Sequence, residues 1–275
     1  MKLAVSNIAW ENDDLDAHLA MLRDSGCYGV EIAPSCIWAE PIDATKRQRS
    51  DLRKRVEDYG LKIIGIHSLL YTRPDLQLFE SKASMEETGD YLKSLFALCS
   101  ELNGHTLVFG SPRNRTLHGH DYKECFESAS KFFAGLMPEA GNQDVTLMIE
   151  PLSKKETDFI QSTHEAHEMV QNISHQHFGL HLDVKAMIDS GENFQDIFKK
   201  YGQVACHLHV GDPGLAPPGH TGFDHKVIGD AIESSFYKRI ISIEMKRGFG
   251  NTQDVLTNAI AYVKSCYPID DAGIK

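Results

Sequence analysis

The stretches FGLHLDV (178–184) and VACHLHV (204–210) decide how this chain is read. Successive side chains of a β-strand point to opposite faces, so residues two apart share one. In the second stretch His207 and His209 therefore lie together, with Cys206, Leu208 and Val210 turned the other way. In the first, His181 and Asp183 fall on one face and Leu180, Leu182 and Val184 on the other. Two such strands joined through a helical segment run parallel, because only a crossover of that length returns the chain in the same direction.

Working outward, six further apolar or β-branched runs read as strands: LAVSNIAW (3–10), YGVEIAP (28–34), LKIIGIHSL (61–69), HTLVFGS (105–111), TLMIEP (146–151) and RIISIEM (239–245). Helical periodicity fills the gaps, as in Leu15, Leu19 and Leu22 before Gly26, or Tyr91, Leu95, Leu98 and Leu102. Another helical face runs through Phe126, Phe133 and Leu136, and a charged amphipathic segment around 43–59 ends at Gly60. Eight β–α units in 275 residues predict an α/β fold of the (β/α)8 TIM-barrel type, in one domain spanning 1–275. A doubly wound open sheet is the alternative, but it gathers polar strand ends less easily. No linker, repeat or low-complexity tract divides the chain, and neither GxGxxG nor GxxxxGK[ST] occurs.

A net charge of −11 and a pI near 5.7 argue against a nucleic-acid partner, which is bound mainly through phosphate charge. Six scattered cysteines without a CxxC pair read as thiols of a reducing compartment. The opening MKLAVSNIAWENDD reads as a first strand and not a signal peptide, and no run reaches the roughly 18 apolar residues of a membrane span. The expectation is a cytoplasmic protein with no membrane partner.

The active site of such a barrel lies at the carboxyl ends of its strands. There the fifth run ends in Glu150, the sixth in Asp183, the seventh in His209 and the eighth in Glu244. Each has a plain reading alone: Asp183 as a helix cap, Glu150 as a loop anion. Together, three acids at one mouth repel each other unless a cation sits among them, and a divalent metal held by carboxylate oxygens and one imidazole nitrogen meets that need. One layer deeper the same alternation puts Met148, His181, His207 and Ser242. His207 is read as a group supporting the ligand or touching the substrate, against the alternative of a hydrogen-bonded core histidine.

The segments IEP (149–151), GLHLDVKAM (179–187), HLHVGDPG (207–214) and YKRIISIEM (237–245), with GVEIAP, IHS and PPGHTGFDH elsewhere, resemble the xylose isomerase-like barrel superfamily. Within it they are similar to the sugar phosphate isomerase/epimerase branch, which holds tagatose 3-epimerase-like enzymes, hydroxypyruvate isomerases and inosose dehydratases. The resemblance spans nearly the whole chain and implies one divalent ion (Mn, Co, Zn or Mg) on Glu150, Asp183, His209 and Glu244. It also implies that Glu150 and Glu244 are catalytic. They would act as an acid–base pair, moving a proton at the carbon beside a carbonyl through an enediolate. The implied partner is a small carbohydrate, and the barrels of this group leave room for a homo-oligomer. One departure stands out: the epimerases carry a histidine shortly after the strand-six aspartate, where this chain reads DVKAMI. Lys185 in that place favours an anionic substrate.

Further substrate-binding candidates follow from position. Glu31 and His67 close the second and third runs on the inward face. Arg113, with Arg115, offers a fixed cation in the loop SPRNR (111–115), and Trp38 a surface for a sugar ring. Lys246 shares the face of Glu244 if the eighth strand continues that far. His220, Asp224 and His225 are read as part of a substrate-side loop and not as a second metal site. Two rivals stay open at this point: a dehydratase of the inosose type, using the same metal, and an endonuclease IV-like phosphodiesterase, which the acidic charge disfavours.

Overall fold

The computed structural model describes residues 1–270 of the chain. Its eight strands are β1 (Leu3–Ser6), β2 (Gly29–Ile32), β3 (Lys62–Ile66), β4 (Thr106–Phe109), β5 (Thr146–Ile149), β6 (Phe178–Asp183), β7 (Ala205–Val210) and β8 (Ile241–Ile243). They pair in sequence order, all parallel, and β8 pairs with β1 to close a barrel. Outside it run α1 (Leu15–Asp24), α2 (Lys46–Asp58), α3 (Lys82–Glu101), α4 (Tyr122–Asn142) and α5 (Thr163–Ile173). The circuit ends with α6 (Val184–Ser190), α7 (Phe194–Tyr201), α8 (Lys226–Glu233) and α9 (Thr252–Cys266). This is the (β/α)8 TIM barrel expected from the alternation.

The strands are shorter than the apolar runs that announce them. The ladder of β1 stops at Ser6, whose hydroxyl accepts from the Ile8 amide and opens a 3-10 turn over Asn7–Ala9. Helix starts follow local chemistry: Thr45 and Gln48 form a reciprocal capping box on α2, and Ser81, Asp121, Ser162 and Asn251 cap α3, α4, α5 and α9.

The main core lies between barrel and helices. Outward residues of the strands meet apolar helix faces, as where Phe109 of β4 packs edge-on against Phe133 of α4, with ring centres 5.2 Å apart. Phe133 touches Phe178 of β6 as well. Leu147, Leu180, Leu208 and Ile241 are fully buried on the same outward side, each contributing about 2 kcal/mol by burial. With that face filled by aliphatic groups, the inward face of β6 and β7 is free to carry His181, Asp183, His207 and His209. No helix among the described residues is long and apolar enough to cross a membrane.

Candidate metal centre

Two local irregularities set the inward layer. In the pairing of β6 with β7, Leu180 faces Ala205 but His181 faces His207, so one residue of β7 is skipped. Without that bulge His181 would oppose Cys206 and Asp183 would oppose Leu208, and the polar faces would be out of step. With it, Asp183 faces His209 and all four polar side chains share the interior. A second slip between β2 and β3 sets Glu31 opposite Gly65.

Glu150 and Glu244 follow directly on β5 and β8, and Asp183 closes β6. These three carboxylates offer oxygens that all lie within 4.8 Å of one another. Nδ1 of His209 lies 3.3 Å from Glu244 Oε2 and 3.7 Å from Glu150 Oε1, yet it has no hydrogen-bond partner although buried. Its other nitrogen, Nε2, donates to Glu31 Oε2 at 2.8 Å. That bond turns Nδ1 toward the three carboxylates, as a carboxylate behind a ligating histidine does.

Asp183 has two duties. Its Oδ1 accepts from the Lys185 amide at 2.8 Å and from the Ala186 amide at 3.4 Å, which caps α6. The cap fixes the side chain through Oδ1 alone. Gly110, at the end of β4, makes room for Glu150: a Cβ there would stand 2.0 Å from Glu150 Oε2. Behind Glu150 the fully buried Arg115 donates from Nη1 to the Glu150 carbonyl at 2.8 Å, while Nε and Nη2 lack partners. Burial, opposed by the Glu150 charge, brings that guanidinium down to about 10, far enough above neutrality to keep it charged.

His67 braces the other glutamate, its Nδ1 lying 3.0 Å from Glu244 Oε1 and its Nε2 2.6 Å from Ser6 Oγ. Ser68 and Ser111, which follow β3 and β4 at the mouth, both hold left-handed backbone, with φ of 52° and 41°. Such strain in non-glycine residues collects where a site is tightly specified.

The charges press on each other. Burial and then the charges of Glu150 and Glu244 push Asp183 well above the usual carboxylate range. Burial would also raise Glu244, but His209 and His67 outweigh it and hold Glu244 well below that range. Glu31 follows the same pattern, with burial overcome by His209 and His207. His209 is raised well above its ordinary value, since Glu31 and Glu244 prevail over burial. His181, buried and beside His209 and His207, is pushed well down and is neutral.

This donor set fits a divalent ion. Three converging carboxylates, with a buried, unpartnered imidazole nitrogen within 3.7 Å of two of them, are hard and borderline donors. A proton on His209 supplies only part of the missing positive charge. Two deeper groupings, Glu31 with His207 and His209 and Glu150 with His181 and His209, also bring donor atoms together. The first of them is sealed from the mouth and is accounted for by hydrogen bonds to Glu31.

The remaining candidates are placed as follows. Lys185 lines the mouth, with its ammonium bonded to Glu156 and 3.6 Å from Asp189. His207 lies beneath His209, its Nε2 3.3 Å from Glu31 Oε1. Glu31, expected to touch substrate, is completely buried under these histidines and turned away from the mouth. Arg113 is exposed, with its guanidinium 6.0 Å from the Tyr71 ring centre, whereas Arg115 points inward. Lys246 is also exposed: β8 ends at Ile243, so strand alternation no longer governs it, and its ammonium lies 6.0 Å from the Phe249 ring. Trp38 is half-buried against the core and is not on the described lining of the small cavity at the mouth. Glu156 and Gly110 escaped the sequence reading, although an acid six residues beyond Glu150 in the same loop was the available signal for Glu156.

Comparison with known proteins identifies the family. Residues 19–266 match the family model of the xylose isomerase-like TIM barrel. A D-psicose 3-epimerase of Enterocloster bolteae is 24% identical over 208 residues, 74% of this chain and 68% of that protein. A crystal structure of D-psicose 3-epimerase in the presence of D-fructose superposes with a TM-score of 0.81 at 17% identity, covering 99% of this chain and 100% of that one. The zinc-holding crystal structure of the IOLI protein superposes with a TM-score of 0.78 at 16% identity, covering 98% and 100%. At these identities the structural likeness is one of fold, and the family match is what classifies the chain. It belongs to the xylose isomerase-like TIM barrel family.

Proposed function

We propose that this chain is a divalent-metal-dependent isomerase or epimerase of a small, uncharged polyhydroxy ketone or aldehyde, acting by proton transfer at the carbon beside the carbonyl. The observation that carries this reading is the placement of Glu150 and Glu244. Both belong to the three-carboxylate cluster, yet their side chains keep 10% and 13% exposure toward the mouth. Relatives named as D-psicose 3-epimerases, and one that holds zinc, support it.

Glu150, Asp183, His209 and Glu244 would hold the ion, which supplies Lewis-acid polarisation of a carbonyl and so makes the neighbouring C–H more acidic. The rest of the chemistry falls to side chains. One glutamate takes the proton from carbon, and it or its partner returns one to the same or the opposite face. His67 steadies Glu244, and the Arg115 bond steadies the backbone that carries Glu150. Leu152 and Leu215 give the small cavity, about 190 Å³, an apolar wall that limits water.

Among the described residues Lys185 is the only Lys or Arg on that lining, and Glu156 and Asp189 already face its ammonium. Its charge is spent within the protein, and a divalent ion would offset only two of the three carboxylate charges of Glu150, Asp183 and Glu244, leaving net negative charge against an anion. The pocket therefore favours hydroxyl groups over a phosphate or carboxylate, contrary to what Lys185 suggests from the sequence alone.

The test is isotope exchange. Metal-loaded protein in D₂O with a panel of free ketoses and their phosphates is expected to place deuterium beside the carbonyl of a free ketose. Glu150→Gln and Glu244→Gln should each abolish that exchange while the fold is kept. Loss of one water from the product would instead assign a dehydratase, and no exchange on any member of the panel would overturn the proposal.

A further inference from the structure

At the opposite end of the barrel, the amino ends of the strands enclose a second cavity of about 600 Å³. Its lining includes Lys2, Lys62, Lys238 and Arg239, which come from the residue before β1, the start of β3 and the segment before β8. All four are exposed. Lys2 rests its ammonium 3.9 Å from the Tyr28 ring centre, and no ion pair joins Lys62, Lys238 or Arg239 to an acid among the described residues. Among the described residues the one acid on the lining is Asp270, which pairs with the amino-terminal ammonium at 2.7 Å and also feels the charge of Lys238.

On a chain with net charge −11 this is a local reversal of sign. The amino end of such a barrel ordinarily serves stability, and like charges gathered around a concavity oppose stability, because low-dielectric walls focus their field. Separately solvated lysines would carry no such cost; here four basic residues from three distant parts of the sequence line one concavity. The dimensions suit a ligand of metabolite size, and Arg239 offers a planar fork that matches two oxygens of a phosphate. His207 also lines this cavity, and its Nε2 shares Glu31 with His209. One hydrogen-bonded carboxylate thus separates the floor of this cavity from the candidate metal centre.

We propose that the amino-end cavity binds a small polyanion, a phosphorylated metabolite with two phosphate-sized groups, at a site distinct from the mouth. Lys62 and Arg239 are its main contacts, with Lys2 and Lys238 reinforcing the field. This does not depend on the isomerase reading.

The probes are inorganic phosphate and inorganic pyrophosphate, titrated into ¹⁵N-labelled, magnesium-loaded protein while backbone amide shifts are followed. Saturable shifts are expected at Lys62, Ile63, Thr106 and Arg239, with pyrophosphate at least tenfold tighter than phosphate. The double variant Lys62→Glu/Arg239→Glu should weaken pyrophosphate at least tenfold, and its amide spectrum reports whether it is folded. A single variant, Lys238→Ala, should weaken binding less. Shifts confined to Gly110 and Ser111 at the mouth would overturn the proposal, as would unsaturated shifts throughout the range or unchanged affinity in the folded double variant.

Discussion

Gly110 is the residue at which the candidate centre tolerates least. Its backbone is outside the left-handed region, so alanine is conformationally acceptable there. The conflict is with one atom: the added Cβ would lie 2.0 Å from Glu150 Oε2. Gly110→Ala is therefore expected to displace that carboxylate while leaving the barrel folded. A shift on the order of 1 Å at a positioned group costs roughly 100-fold in turnover, and calorimetric titration should show divalent-ion binding weakened alongside it. Metal affinity equal to the parent's would remove Glu150 from the ligand set. At this scale sequence and structure part company most often. Arg113 and Arg115 are indistinguishable in SPRNR, yet one faces solvent and the other lies wholly inside, because parity on a 3-10 turn depends on how the loop docks. Glu31 was visible as an inward acid, but its distance from the mouth is a property of barrel depth. Lys246 was expected on the face of Glu244 only if the eighth strand reached it, and the ladder ends at Ile243.

The strands themselves were legible, since each run of apolar and β-branched residues is bounded by a turn signal, and the four strand-end residues could be listed from alternation alone. Register was not legible. The skipped residue on β7 is a relation between two strands that neither sequence reveals by itself. Gly179 lies beside it and leaves room for Cys206: a Cβ there would meet Cys206 Sγ at 2.6 Å. Gly179→Ala should therefore lower unfolding free energy by about 1–3 kcal/mol through overpacking at the bulge. Adding Cys206→Ala removes the clashing sulfur and should restore most of that loss, a coupling that a double-mutant cycle in denaturant measures directly. If the two changes were simply additive, Cys206 would not be what Gly179 accommodates.

For the molecule as a whole, the cluster ties stability to pH in an unusual direction. Asp183 and His209 both have folded values raised well above their ordinary 3.8 and 6.5. A group raised in the folded state adds stability while the unfolded form is still protonated, and that stability is lost as pH climbs toward the folded value. Glu31 and Glu244 are shifted down from 4.5, so their contribution is present above the ordinary carboxylate range and disappears only in acid. The metal-free protein should therefore lose stability through Asp183 from about pH 3.8 upward and through His209 from about pH 6.5 upward. A bound divalent ion requires both to be deprotonated and replaces the proton as the cluster's positive charge, so its binding tightens over the same range. Other titrating groups, such as the buried His18, act equally on both forms and cancel in the difference. Melting temperatures taken with excess metal and with chelator, from pH 5 to pH 9, should therefore diverge as pH rises and nearly coincide at the acid end. Asp183→Asn removes one of the raised groups and one ligand together, and it should flatten the metal-free profile while shrinking the gap at high pH. A gap that stays constant across the range, or one that survives intact in Asp183→Asn, would mean that these four side chains do not hold the ion.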